Sequence, residues 1–174
     1  MVSILPATWV IPPPKANLVA GIGDLVASND SGAELVTYSL GSCIGVTLYD
    51  PGRRVGGLFH AMLPDSGLNP AKAQASPCMF VDTGFAQLWR SVRNLGARPD
   101  QLIIKVAGAA QFLADQNLFN IGERNLRALE QVLAEHQLPL AALAVGGNSS
   151  RTIRLSLATG RLAIQSPGVP VSYL

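Results

Sequence analysis

Hydrophobic and polar positions along this chain repeat with two periods. Residues 34–38 and 44–49 alternate or run apolar over lengths that suit strands. Asp50-Pro51-Gly52 then closes a tight turn into a further apolar run ending L-F-H-A-M-L-P. Upstream, residues 18–26 are broken by Gly21 and Gly23 and read as one first strand with a bulge or turn, followed by the turn cluster Asn29-Asp30-Ser31-Gly32. From Val81 the period lengthens. Val81, Phe85, Leu88, Trp89, Val92 and Leu95 recur at helical spacing, with Gly96 where a C-cap belongs. Residues 102–106 form a short continuous apolar run, the pattern of a buried strand, and end in the small residues A-G-A-A. Asn120 followed by Glu123 resembles a capping box, and Leu126, Leu129 and Leu133 carry the apolar face of a second helix. Residues 140–145 are strand-like and stop at Gly146-Gly147-Asn148. Ile153, Leu155 and Leu157 alternate with polar neighbours before Ala158-Thr159-Gly160 turns into Leu162 and Ile164, a terminal hairpin.

Consecutive strands without strict alternation of strand and helix predict an α+β layered sandwich, with a mixed, mostly antiparallel sheet and helices covering its outer side. Residues 16–174 read as a single domain, and residues 1–15, with three consecutive prolines, as an extended N-terminal arm. Hydrophobic residues make up 48% of the 174 and charged residues 14%, which suits an ordered core rather than a disordered chain. A net charge of +2 with scattered arginines makes no nucleic-acid stripe. The N-terminus lacks the basic and apolar regions of a signal peptide, and no run reaches the ~18 apolar residues of a membrane span. A soluble, cytoplasmic protein with reduced cysteines is expected, with no membrane insertion and no nucleic-acid partner.

The candidate chemistry lies in one stretch. Cys43 stands between Gly41 and Gly45, where backbone N–H groups could face a developing oxyanion, and His60 is one hairpin away. An inert core cysteine and a core histidine are the bland alternatives for the same two residues. G-S-C-I-G also matches a nucleophile elbow with cysteine for serine, but the residues after Cys43 are strand-like and leave no room for the elbow's helix. G-I-G-D lacks the third glycine of a dinucleotide site. Cys78, in the loop-like A-S-P-C-M-F, has no histidine near it in sequence, and His136 reads as a solvated residue at a helix end. Glu123, Arg124 and Asn125 read either as a docking surface or as part of a helix cap. Two distant histidines without a C-x-x-C leave too few ligands for a metal, and no cofactor is expected.

T-Y-S-L-G-S-C-I-G-V-T-L-Y-D and G-G-L-F-H-A-M-L-P resemble the CheD family of chemoreceptor glutamine deamidases, and K-V-A-G-A-A-Q-F, I-G-E-R-N and V-G-G-N resemble its later blocks in the same order. The pattern departs at Ala107 and Ala109, where the family more usually has phenylalanine and glycine. The resemblance implies a cysteine nucleophile at Cys43, a histidine at His60 and a supporting threonine at Thr37. It also implies hydrolysis of glutamine side-chain amides in methyl-accepting chemotaxis proteins, a fold shared with bacterial deamidating toxins, and contact with a CheC-type phosphatase. The competing reading is a non-catalytic adaptor for receptors or that phosphatase. A working cysteine beside an imidazolium would titrate below an ordinary thiol.

Overall fold

The computed structural model describes residues 16–111 and 120–174; the proline-rich arm, residues 1–15, lies outside the described residues. Its strands are β1 (Ala16–Val19), β2 (Leu25–Ser28), β3 (Ala33–Leu40), β4 (Ile44–Asp50), β5 (Val55–Ala61), β6 (Ile103–Gly108), β7 (Leu140–Val145), β8 (Arg151–Ser156), β9 (Leu162–Gln165) and β10 (Ser172–Tyr173). The helices are α1 (Pro70–Ala75), α2 (Val81–Asn94) and α3 (Ile121–Glu135). The α+β layering and the mostly antiparallel pairing agree with the pattern, but the strands form two sheets instead of one. The first has the order β1-β3-β8-β9-β10 and the second β2-β5-β4-β6-β7. Only β1–β3 and β6–β7 pair in parallel.

The layers follow from the period of two. On β5, Leu58 packs with Leu35, Leu40, Ile153, Leu155 and Leu162 of the first sheet, while Phe59 on the opposite face packs with Val81, Phe85, Leu88 and Val92 of α2. Every residue of β4 and β5 is therefore buried, as befits strands covered on both faces. The same double burial hides the number of sheets from the sequence, because alternation cannot assign an apolar residue to one layer or the other.

Three local expectations change. Residues 18–26 are two strands in different sheets, and Gly21 and Gly23 turn the chain between them. Asn120 does not cap α3 with its side chain; its amide donates to the Glu123 carboxylate and accepts from Gln111 Nε2. Cys78 is the buried residue of a 3₁₀ turn, Pro77–Met79, instead of part of a loop. The helical expectation for α2 holds, and Gly96 takes a φ of 98°, the left-handed conformation that ends a helix. No helix among the described residues is long and apolar enough to cross a membrane.

Phe85 is 1% exposed and anchors α2 on the second sheet. Phe85→Ala should lower stability by about 3–5 kcal/mol, read as a fall in the urea midpoint with the slope unchanged. A loss under ~1 kcal/mol would mean that α2 is not seated through this ring.

Candidate active site

The two sheets meet at a hydrogen bond. β3 carries one extra residue relative to β8, since Thr37 pairs with Ile153 and Leu40 with Arg151, and Ser39 in the bulge takes a φ of 55°. Tyr38 and Ser39 thereby turn outward while Thr37 stays fully buried between the sheets. Opposite it, His60 lies on the same face of β5 as Leu58. Thr37 Oγ1 is 2.8 Å from His60 Nδ1 and donates to the Ala20 carbonyl at 2.7 Å. A hydroxyl has one proton, and here it goes to a carbonyl that can only accept. Thr37 must then accept from the ring. His60 consequently carries its proton on Nδ1 and presents a bare lone pair at Nε2, which is buried and has no hydrogen-bond partner. The histidine backbone is held as well: Gly23 N–H donates to the His60 carbonyl at 2.8 Å, and His60 N–H donates to Asp24 at 3.1 Å.

Cys43 sits at the end of the short link from β3 to β4, where the chain passes from one sheet to the other. Gly45 pairs with His60 across the β4–β5 hairpin, so Cys43, two residues earlier, lies on the diagonal from the histidine and on the same side of the sheet. The thiol is half-buried against the core between the sheets. Its loop is braced from three directions. Ala109 N–H donates to the Cys43 carbonyl and Ala110 N–H to that of Gly41, each at 2.8 Å. Asn125 Nδ2 donates to the carbonyls of Ser42 and Met62, both at 3.1 Å. Arg151 donates to Gly108 at 3.2 Å and Gly146 at 2.7 Å, fixing the strand ends behind the brace. Two glycines permit the approach. A Cβ on Gly108, whose φ is 112°, would collide with the Cys43 carbonyl, and one on Gly122 would fall 2.7 Å from the Ala109 oxygen.

Burial governs the electrostatics. Loss of water pushes the His60 imidazolium down to about 4 and the Cys43 thiol up, the latter opposed by the Cys43 amide N–H. The resting couple is a neutral thiol and a neutral imidazole. This corrects the expectation of a thiol lowered by an imidazolium: Thr37 supplies orientation without countercharge, and no bond from the thiol reaches Nε2. Cys78, buried and near Asp24, is pushed up to about 11 and lies apart from this constellation. His136 is an exposed residue at the C-cap of α3, as the sequence suggests. Asn125 is fully buried and so forms no docking surface, while Glu123 pairs with Arg127 at the exterior.

Comparison with known proteins bears on the family of the chain as a whole. The family model described as CheD chemotactic sensory transduction matches residues 62–166. A probable chemoreceptor glutamine deamidase CheD 1 of Syntrophus aciditrophicus (strain SB) is 42% identical over 158 residues, covering 91% of this chain and 99% of that protein. A probable chemoreceptor glutamine deamidase CheD 2 of Anaeromyxobacter dehalogenans (strain 2CP-C) is also 42% identical, over 86% of this chain and 94% of that protein. The chain belongs to the CheD family. Among solved structures, the hypothetical protein YfiH of Bacillus licheniformis is similar with a TM-score of 0.43 and 14% identity, over 70% of this chain and 49% of that one.

Within this CheD chain, residue spacing pointed to Cys43 and His60, and resemblance added Thr37. Three contributors were not singled out from the sequence for the parts they play. The Ala20 carbonyl decides the tautomer, yet a carbonyl leaves no trace in residue type. Arg151 is, in the sequence, one scattered charge among several. Asn125 carried a signal, since it stands on the buried stripe of α3 with Gly122, Leu129 and Leu133, where an apolar residue is the norm.

The His60 ring should stay neutral across the range in which a solvated histidine titrates. Because its folded value lies near 4, below the ~6.5 of an unfolded chain, the unfolded state binds more protons between those limits. Stability is then complete above pH ~6.5 and falls by about 3 kcal/mol as pH drops toward 4. Nitrogen-15 NMR of the imidazole should show Nδ1–H as the tautomer at neutral pH. A ring that titrates near ~6.5 would show it to be solvated.

Proposed function

We propose that this chain is a protein-glutamine deamidase of chemotaxis receptors, working in the cytoplasm with Cys43 as nucleophile, His60 as general base and acid, and Thr37 as the residue that orients the ring. The observation that carries this reading is the fixed tautomer: Thr37 accepts the Nδ1 proton, so Nε2 keeps a free lone pair on a histidine that pairs with Gly45, two residues from Cys43. The printed names of the CheD relatives supply the substrate class.

Neither Cys43 nor His60 is charged at rest, so proton transfer accompanies attack instead of preceding it. As a glutamine carboxamide reaches the sulphur, the thiol proton passes to Nε2 and the S–C bond forms. The carbonyl electrons move to oxygen beside the Cys43 amide N–H, which already lies against the sulphur. Thiolate or oxyanion and imidazolium arise together and stabilise each other in a site too dry for either alone. Collapse of the intermediate breaks the C–N bond, and Nε2 gives its proton to the leaving ammonia. Water, deprotonated by Nε2, then attacks the thioester, the C–S bond breaks, and the proton returns to sulphur as glutamate leaves. Cys43, His60 and water account for every proton and bond. A single domain over residues 16–174, a scaffold akin to that of bacterial deamidating toxins, and a CheC-type phosphatase partner complete the proposal.

Incubation with a receptor cytoplasmic fragment should raise the fragment's intact mass by amide-to-acid steps. Cys43→Ala should abolish the conversion and Cys78→Ala should keep it. His60→Ala should lower kcat by about 10²–10⁴. Thr37→Val should lower it less, because the ring loses orientation but not its base. Wild-type turnover in Cys43→Ala would overturn the nucleophile assignment.

A further inference from the structure

Asn125 is the one buried amide on the apolar stripe of α3, and it is buried at a disadvantage. Its Oδ1 and His60 Nε2 are the two buried side-chain polar atoms without a partner among the described residues. A leucine there would spare the orphaned Oδ1 but take the side-chain donor from the Ser42 and Met62 carbonyls, so the amide's use lies in its donors. Both protons of Nδ2 go to backbone carbonyls on segments that no backbone bond joins at that point. The β4–β5 ladder ends at the pair Ile44–Ala61, and one residue beyond it stand Cys43 and Met62. Asn125 bonds the carbonyl of Ser42, whose peptide contains the Cys43 N–H, and that of Met62, two residues past His60. Two carbonyls cannot bond each other; a single amide nitrogen with two protons joins them.

Resting on the assignment of Cys43 and His60 above, we infer that Asn125 is a positioning residue that continues the hairpin past its last rung, and so sets the separation of nucleophile and base. The bond to Ser42 has a second effect. It polarises the peptide whose N–H faces the sulphur, strengthening the donor available to the oxyanion. Gly122, one turn earlier on α3, is what lets the helix approach closely enough, since its missing side chain leaves room for the Ala109 carbonyl.

The test uses the full chain and three variants, Asn125→Ala, Asn125→Asp and, as a stability control on the same helix, Leu133→Ala, which removes core packing away from Ser42 and Met62. Asn125→Ala should lower kcat at least tenfold, about what a misplacement near ~1 Å produces, with KM little changed. The loosened loop should at the same time expose Cys43, so its alkylation by iodoacetamide, mapped by peptide mass, should become faster while turnover becomes slower. Asn125→Asp keeps the shape but has a proton to donate only while the acid is protonated, so its kcat should fall as pH rises through a range where wild type is flat. Leu133→Ala should melt earlier yet keep wild-type kcat and Cys43 alkylation. Asn125 variants that follow Leu133→Ala in both readouts would overturn the inference. If Asn125→Ala does not fold, the isosteric Asp variant carries the comparison. Should the wild-type chain convert no receptor glutamine, the proposed function fails, while the alkylation rates still decide whether Asn125 holds the Cys43 loop.

Discussion

The hydrogen bond between Thr37 and His60 is the constraint around which the two sheets are arranged. Facing sheets stand about 10 Å apart, a gap that short side chains bridge only where the backbone brings them forward. The bulge in β3 does so for Thr37, and the turn at residues 20–24 holds the histidine from behind while its Ala20 carbonyl takes the hydroxyl proton. Moving any one of these alters the tautomer as well as the distance. Direction of the proton, and not proximity alone, is what the sandwich controls.

The second demand is that Cys43 leave one sheet and enter the other at a fixed place. A three-residue link has little to hold it, and its carbonyls would otherwise go unpaired near the core. The two residues after β6 supply N–H donors, α3 supplies an amide, and Arg151 ties the ends of β6 and β7 behind them. Segments far apart in the chain, A-G-A-A, I-G-E-R-N and V-G-G-N, are thus parts of one support. Their glycines and small residues reflect how closely backbone must approach backbone.

In the proposed mechanism, burial trades reactivity at rest for reactivity at the moment of attack. A carboxylate in place of Thr37 would hold an imidazolium and keep the thiol ionised; a neutral hydroxyl in a dry gap does neither. On the proposed mechanism, charge arises only when sulphur, ring and carbonyl share it. The unpartnered Nε2 is a standing penalty of about 1–3 kcal/mol, of the kind that packing elsewhere in a sandwich of this size can offset.

Residue order was enough to determine the hairpin that joins Cys43 to His60, the course of α2 and the alternation of β8, because each depends on contacts between near neighbours in sequence. The motif blocks likewise announced the CheD family. What the chain could not announce was that its strands divide into two sheets, since β4 and β5 are apolar on both faces and their local pattern is the same whichever layer covers them. From that division comes everything that distinguishes the site: Thr37 lies across a gap from His60 instead of beside it, a carbonyl at Ala20 chooses the tautomer, and Asn125 reaches two segments from a helix on the outer layer. These are contacts between residues distant in sequence, made by backbone atoms that every residue shares, and only the closed tertiary structure decides them.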